Sequence, residues 1–238
     1  LIDSTSFPIS RLTITRVAID GSWGSFGIRS ANPTPLVNGF FTSTIGPDNL
    51  INNGIQLNNA GDSIKIFGNT IAFGGTVTTT AGIDANFDVG AANFLVWGNN
   101  ITQTKGGCIH LGAGALYPNI FGNFCEGGVS GTDVGSNGAA IDIDCTTGSH
   151  CKGVNIVGNV IQSVTTNINN VRVNFAENTN IHDNTITRPG GTAVDIITTA
   201  NALSTNIGLN RWEPITDVIS QILTDAATGT VYSLFPPQ

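Results

Sequence analysis

Short hydrophobic segments that resemble one another recur along the whole chain. Five of them align as SIKIFGNTI (63–71), NFLVWGNNI (93–101), PNIFGNFC (118–125), VNIVGNVI (154–161) and TNIHDNTI (179–186). All five contain an Asn at the same position, and a sixth, looser copy has one too: Asn69, Asn99, Asn123, Asn159, Asn184 and Asn210. The step from one copy to the next varies from 24 to 36 residues. Repeats of this length are typical of supersecondary units that stack on one another.

Apolar residues hold fixed places on both sides of the shared Asn. Three positions before it stands Ile66, Val96, Ile120, Ile156, Ile181 or Ile207, and two positions after it stands Ile71, Ile101, Cys125, Ile161, Ile186 or Trp212. Because side chains alternate between the two faces of a strand, residues at equivalent positions face the same way in every copy. We therefore expect these residues to point inward and to form apolar stacks from coil to coil.

The residue before the shared Asn is Gly in most copies, as in Gly68 and Gly98. Glycine permits the left-handed backbone that a sharp corner requires. Identical Asn side chains stacked at such a corner can hydrogen-bond along the stacking axis and satisfy polar backbone groups of the turn. The pattern predicts an asparagine ladder.

Each coil also contains a second predicted strand. The segments are GIQLN (54–58), GIDAN (82–86), CIHLG (108–112), AIDIDC (140–145), VRVNF (171–175) and AVDII (193–197). Their inward positions would form another stack, made of Ile28, Ile55, Ile83, Ile109, Ile141, Val171 and Val194.

The Gly-Asn corners, the Ile stacks and the coil length resemble the pectin-lyase-like right-handed parallel β-helix superfamily over roughly residues 10–212. Within that superfamily the chain looks most like phage tailspikes and extracellular polysaccharide-active β-helix proteins. The resemblance implies an all-β, right-handed parallel β-helix, a solenoid of six or more coils. Members of that superfamily include lyases, hydrolases, epimerases, tailspikes and adhesins, so the fold by itself leaves the function open.

The chain beyond Trp212 has a different pattern. In EPITDVISQILTDAA, the residues Ile215, Val218, Ile219, Ile222 and Leu223 form one helical stripe, and Pro214 suits a first helical turn. We predict a β-helix over residues 1–212 and a C-terminal cap over 213–238, made of a short amphipathic helix and a short strand. Coil-like sequence begins at once at the other end, so we expect a further N-terminal region or a partner chain before Leu1.

Composition restricts the partners. The net charge of −7 would repel a nucleic-acid backbone. The sequence contains no apolar run of the length that spans a bilayer. The four cysteines, Cys108, Cys125, Cys145 and Cys151, are open to two interpretations, two disulfides or free buried thiols. The first interpretation indicates an extracellular location, either secreted or on a virion surface.

The residues that follow the inward positions of the second strands should face outward as one polar column. The column consists of Arg29, Gln56, Asp84, His110, Asp142, Arg172 and Asp195. Within one strand, Asp142 and Asp144 would lie about 6.6 Å apart, and Asp84 and Asp142, with His110 between them, about 9.6 Å apart across two coils. Inverting glycosidases separate their carboxyl groups by about 6.5–9.5 Å.

This geometry makes Asp84, Asp142, Asp144 and His110 the candidate catalytic residues, and Arg29, Gln56, Arg172 and Asp195 the candidate substrate-binding residues. Each of them taken alone is more simply explained as a solvated or ion-paired surface group. The chain holds no complete polygalacturonase or pectate lyase motif. Because it has only three Lys and a net negative charge, a neutral glycan and hydrolysis fit better than elimination. We assign no metal or cofactor; Asp84, Asp142 and Asp144 are the residues that would hold Ca²⁺ if it were bound.

An apolar stripe is predicted on the outer face of the other strand. It consists of Phe67, Leu95, Trp97, Phe121 and Val157. Three interpretations remain for it: an interface in a homotrimer, a surface covered by a loop, or a platform on which sugar rings stack. Two functions from different classes follow for the chain: binding and hydrolysis of an extracellular polysaccharide, as in a tailspike, or a non-catalytic structural or adhesive β-helix in a fibre, spike or surface protein.

Overall fold

Every element that the computed structural model describes is a β-strand. The described residues are 2–4, 9–19, 26–31, 40–52, 54–72, 81–87, 91–104, 107–127, 139–163, 169–187, 195–213 and 223–233. No helix of these residues is long and apolar enough to span a membrane.

Three large parallel sheets account for most strands of the described residues, and successive coils add one strand to each of them. Sheet 1 contains β1 (Ile2–Ser4), β5 (Ile28–Ala31), β9 (Ile55–Ala60), β12 (Ile83–Phe87), β15 (Ile109–Leu111), β18 (Ala139–Asp144), β22 (Asn169–Asn174), β26 (Ile196–Thr198) and β29 (Leu223–Asp225). Sheet 2 contains β3 (Thr13–Ile14), β7 (Thr44–Ile45), β10 (Lys65–Phe67), β13 (Leu95–Trp97), β16 (Asn119–Phe121), β20 (Asn155–Val157), β24 (Asn180–His182), β27 (Asn206–Gly208) and β30 (Val231–Ser233).

Sheet 3 contains β4 (Ala18–Ile19), β8 (Leu50–Asn52), β11 (Thr70–Ala72), β14 (Asn100–Thr104), β17 (Phe124–Gly127), β21 (Val160–Ser163), β25 (Thr185–Thr187) and β28 (Arg211–Glu213). Two short pairs accompany the main sheets, β2 (Ile9–Ser10) with β6 (Phe40–Phe41) and β19 (Cys151–Lys152) with β23 (Ala176–Glu177). The chain is therefore a parallel β-helix, as the repeats predict.

The core consists of the predicted aliphatic stacks. In sheet 2, Ile66, Val96, Ile120, Ile156 and Ile181 lie above one another in register and have no exposed surface. Burial of one such side chain stabilises the fold by about 1.5–3 kcal/mol, and the stacking repeats that gain in every coil. A long, narrow apolar core therefore runs along the axis.

The predicted asparagine ladder is present and is longer than predicted. It runs through Asn49, Asn69, Asn99, Asn123, Asn159, Asn184 and Asn210, and the Nδ2 of each donates to the Oδ1 of the next at 2.8–3.0 Å. From Asn69 to Asn184, the backbone N–H of each ladder Asn also donates to the Oδ1 of the Asn in the next coil. Each of these Oδ1 atoms therefore accepts both the Nδ2 and the backbone N–H of the same preceding Asn. The buried polar groups of the corner are thus paired within the ladder.

The corner residue before six of the seven ladder Asn residues has the left-handed conformation that a glycine at this position predicts; the seventh, Leu209, has φ of 20°. The φ angles of Gly68, Gly98, Gly122 and Gly158 lie between 60° and 64°. Asp48 and Asp183 take the same conformation, with φ of 63° and 56°. Asp is one of the few residues with a side chain that tolerate this region, which explains how the ladder continues without a glycine.

The alignment of the segment AVDII (193–197) is wrong by two residues. We expected Val194 to continue the inner stack above Val171, but Val171 pairs with Ile196. Val194 and Ile196 are two positions apart and share the same strand phase, so the alternation of apolar residues fits either of them.

The predicted C-terminal helix drew on EPITDVISQILTDAA (213–227), of which residues 214–222 lie outside the described residues. Leu223, which was assigned to the helical stripe, lies in strand β29 instead. This strand pairs with β26, and β30 pairs with β27, so sheets 1 and 2 continue to Ser233.

All four cysteines are paired in two disulfides. Cys108 is bonded to Cys125 across the interior of the helix, and Cys145 is bonded to Cys151 around a short loop. Of the two interpretations that the sequence left open, the structure shows the disulfides.

Candidate functional site

The outer face of sheet 1 carries the predicted polar column. The strand register aligns Arg29 with Gln56, Gln56 with Asp84, Asp84 with His110, His110 with Asp142 and Asp142 with Arg172. The inner residues on either side of these positions, such as Ile109 and Leu111, are fully buried. Because these inner residues face the core, the column residues that alternate with them face outward.

Asp84 and His110 form the lower half of the site. His110 Nδ1 lies 2.8 Å from Asp84 Oδ1, and Gln56 Nε2 donates to Asp84 Oδ2 at 3.3 Å. The Asp84 side chain is 11% exposed and the His110 side chain 30% exposed. The carboxylate thus orients the imidazole, and both of its oxygens have partners.

Arg172 joins the two carboxylates of the upper half. Its Nε donates to Asp142 Oδ1 at 2.7 Å, and its Nη2 lies 3.2 Å from Asp142 Oδ2 and 2.5 Å from Asp144 Oδ2. The Arg172 side chain is only 6% exposed. A planar guanidinium that bridges two carboxylates in this way is a strong, directional contact.

Asn174 extends the network beside Asp144. Its Nδ2 donates to Asp144 Oδ1 at 2.7 Å, while its Oδ1 accepts from Thr199 Oγ1 at 2.6 Å and from Asn201 Nδ2 at 3.0 Å. The sequence analysis did not single out Asn174, although its place two residues after Arg172 puts it on the same outer face.

The charges of the column shift the pKa values of three groups. Burial disfavours the charged imidazole, but the hydrogen bond and charge of Asp84, aided by Asp142 and Asp144, raise the pKa of His110. Burial raises the pKa of Asp142 although Arg172 acts in the opposite direction. Burial likewise opposes the charge of Arg172, yet Asp142 and Asp144 raise the pKa of that group.

Asp195 does not belong to the column. Because β26 begins two residues later than expected, Ile197 rather than Asp195 stands beside Arg172. Asp195 is 1% exposed, and its Oδ1 accepts a hydrogen bond of 2.7 Å from Asn170 Nδ2. Asp195 therefore lies beside Asn170, two positions along the strand from the column, and its substrate-binding role stays a prediction.

A metal ion bound in the column would have to compete with the guanidinium of Arg172. His110, Asp142 and Asp144 each offer a ligand atom, and these atoms lie within 4.8 Å of one another. The guanidinium of Arg172 already contacts both carboxylates. A metal ion bound to these carboxylates would have to displace Arg172 from them, and a Ca²⁺ site at Asp84, Asp142 and Asp144 stays a hypothesis from the sequence.

The predicted apolar stripe lies on the outer face of sheet 2, and three of its members stack as an aromatic ladder. The rings of Phe67 and Trp97 are 4.3 Å apart and nearly parallel, and those of Trp97 and Phe121 are 5.8 Å apart and nearly parallel. Leu95 lies beside this stack on β13, and Val157 pairs with Phe121 in the next coil. Ring faces inside the stack are turned towards one another, so Trp97 offers solvent mainly its edge.

A second asparagine row lies on the same outer face and was missed in the sequence analysis. Asn155 donates to Asn119 at 2.9 Å, Asn180 donates to Asn155 at 2.9 Å and Asn206 donates to Asn180 at 3.4 Å. Each member stands four positions before a ladder Asn, and this recurrence is the signal that could have revealed the row.

Comparison with known proteins gives no family. No family model matches the chain, and no curated protein matches it. A surface adhesin of Streptococcus pneumoniae, PfbA, is similar in structure at 14% identity over 96% of this chain and 70% of that chain, with a TM-score of 0.47. QnrB1, a plasmid-mediated fluoroquinolone resistance protein, matches at 8% identity over 94% of this chain and 92% of that chain, with a TM-score of 0.30. Agreement at this level carries no argument about function, and membership of the pectin-lyase-like superfamily stays a prediction.

Proposed function

We propose that the chain is an adhesive β-helix that binds a neutral extracellular polysaccharide along the outer face of sheet 1 and does not cleave it. One observation carries this proposal. Both oxygens of each of the three column carboxylates, Asp84, Asp142 and Asp144, already have hydrogen-bonding partners in neighbouring coils.

The ion-paired carboxylates argue against glycoside hydrolysis. A general acid must carry a proton on a carboxyl oxygen and a general base must take one up, and in either role the protonated oxygen would face donors that require an acceptor. Both oxygens of Asp142 face the donors of Arg172, and Asp144 lies between Arg172 and Asn174. The raised pKa of Asp142 does not remove this obstacle, because its oxygens remain directed at the guanidinium.

The same network suits recognition of a hydroxyl-rich ligand. A carboxylate offers about four lone-pair sites, so oxygens with one partner can still accept from sugar hydroxyls. The column contains positive and negative groups that supply hydrogen-bond donors and acceptors, and their mutual contacts hold them in place. Groups that are already held in place lose little conformational entropy when a ligand binds. The net charge of −7 favours a neutral polymer over an anionic one.

An extracellular location is part of the proposal. Two disulfides join all four cysteines. Structural disulfides persist in oxidising compartments and are rare in the reducing cytosol. A polysaccharide-binding surface protein would meet its ligand in such a compartment.

Hydrolysis is the second candidate, and the Asp84–His110 pair favours it. A histidine held at Nδ1 by a carboxylate, with its second nitrogen directed away, has the geometry of an oriented general base. Such a mechanism would use His110 rather than the Asp142–Asp144 pair.

One experiment separates the two candidates. The protein is incubated with capsular polysaccharides, O-antigens and neutral glucans, and both bound glycan and new reducing ends are measured. We expect binding without new reducing ends. Gln56→Ala should weaken binding, whereas Gln162→Ala, a matched change on the outer face of sheet 3, should not. New reducing ends that disappear in His110→Ala would establish the second candidate, and equal binding by the two Gln variants would remove the column from recognition.

A further inference from the structure

The aromatic ladder of sheet 2 ends at Phe121 with one ring face unpaired. Trp97 stacks on one side of Phe121, but the residue aligned with Phe121 in the next coil is Val157. A valine covers less of a phenyl ring than another ring would. Phe121 is accordingly 40% exposed, and a large part of its surface remains in contact with solvent.

The outer asparagine row begins in the same coil. The aligned positions before it are Lys65 and Leu95, and from Asn119 onward every paired residue up to Asn206 is Asn. Asn119 stands two residues before Phe121 on β16, so both side chains face outward together. Asn119 Oδ1 accepts one hydrogen bond, from Asn155, and a carbonyl oxygen has a second lone pair for a ligand.

The surroundings leave space for a ligand. A Cβ placed on Gly122 or on Gly158 would meet no atom within 4 Å, so the corner above Phe121 is open. On the other side of Asn119, the ring of Tyr117 lies over Gly153 and the residue is 63% exposed. An amide row thus stands between two exposed aromatic side chains.

We propose that Phe121, Asn119 and Asn155 bind one pyranose unit of a neutral polysaccharide. The apolar C–H face of the sugar packs on the open face of Phe121, and hydroxyls at its edge donate to the amide oxygens of Asn119 and Asn155. The paired side chains Asn119, Phe121, Asn155 and Val157 carry no charge, which matches a neutral ligand. The inference rests on the proposed function and places a second contact on a different sheet.

The test uses the whole chain and a panel of dextran, laminarin, mannan and galactomannan, with affinity measured by calorimetry. Phe121→Leu keeps an apolar side chain but removes the ring, and it should weaken binding by about two- to ten-fold. Phe121→Tyr keeps the ring and should bind as the unchanged protein does. Phe124→Leu is the matched control, because Phe124 is 39% exposed but lies around the corner on sheet 3.

The outcomes separate this inference from the proposed function. If a glycan binds and Phe121→Leu binds it as well as Phe124→Leu does, the Phe121 site is refuted while glycan binding on sheet 1 stands. If no glycan of the panel binds, both fail. The molar mass in solution is measured for each variant, and a protein that is oligomeric and becomes monomeric in Phe121→Leu would show that a second copy of the chain covers this face instead.

Discussion

Asn123 donates a hydrogen bond of 3.0 Å from Nδ2 to the Oδ1 of Asn159, which stands 36 residues later in the sequence. The same bond recurs between residues 20 to 36 positions apart along the ladder, so it tolerates large differences in coil length. Loops of different size leave the corner in place because the ladder and the aliphatic stacks hold successive corners together.

The ladder should contribute strongly to stability. Asn123→Ala removes the acceptor of Asn99 N and Nδ2 and the donor to Val96 O, all of them buried. Buried polar groups without partners cost about 1–3 kcal/mol each, so we expect a loss of about 3 kcal/mol or more in the free energy of unfolding. Urea denaturation measures it.

Asn155→Ala is the control for this prediction, because it removes the same side chain from the outer row. Asn155 is partly exposed, and water can replace its partners. We expect a loss below about 1 kcal/mol. Equal losses for Asn123→Ala and Asn155→Ala would contradict a special role for the buried ladder.

Arg172 should be essential to the fold at neutral pH. Arg172→Gln leaves Asp142 and Asp144 without their cation, and removing one partner of a buried ion pair costs about 3–5 kcal/mol. Adding Asp142→Asn and Asp144→Asn to this variant should restore much of the lost stability, because the uncompensated charges are gone. Lys152→Gln, which removes a more exposed ion pair with Glu177, should cost less than about 1 kcal/mol. A variant without Arg172 that is as stable as Lys152→Gln would contradict the prediction.

The raised pKa of His110 should depend on Asp84. Asp84→Asn removes the carboxylate that stabilises the imidazolium, so an NMR titration should show the pKa of His110 falling. Glu126→Gln makes the same charge change on sheet 3 and should leave the titration of His110 unaltered.

The stability effect of His110 has a defined sign. Because its pKa is raised in the folded protein, the proton stabilises the fold fully below the ordinary value of about 6.5 and ceases to do so as the pH rises through the folded value. The free energy of unfolding of the unchanged protein should therefore fall as the pH rises from about 6, and this fall should be smaller in Asp84→Asn. An unchanged pH profile would show that Asp84 does not hold the proton on His110.

The two disulfides should differ in their contributions. Cys108–Cys125 closes a segment of 17 residues and Cys145–Cys151 one of 6. The chain-entropy relation gives about 3 and about 2 kcal/mol for these loops. In both double variants Ala replaces buried cysteines and leaves a cavity, so each should lose more than the loop relation gives, and the order is set by the loop lengths. Thermal unfolding of the two double variants tests the order, and a larger loss for the Cys145 and Cys151 pair would reverse it.

Aligned segments predicted most of the fold. Ile66, Val96 and Ile120 are core residues because the alternation of strand faces is a local property that the sequence displays directly. The corner ladder followed from the recurring Gly-Asn pair. Asn49 was not predicted as a ladder residue, because Asp48 replaces the glycine and because the inward residue Ile45 stands four rather than three positions before it.

The composition of the polar column could also be predicted from the sequence as far as Arg172. Each of these residues directly follows an inward aliphatic residue, so its outward direction is fixed by the core. The sequence placed Asp84, His110 and Asp142 on neighbouring coils for that reason, and the strand register agrees.

What the tertiary structure alone decided is the register after variable loops and the pairing of charges. Val194 and Ile196 have the same strand phase, so alternation could not choose between them, and the choice of Ile196 placed Asp195 beside Asn170 rather than Arg172. The sequence could place Arg172 beside Asp142, but the direction of its guanidinium, which also reaches Asp144, depends on side-chain torsions that no repeat encodes. Strand phase is set locally by the backbone, whereas the partners of a long polar side chain are set by whatever the packed coils bring within its reach.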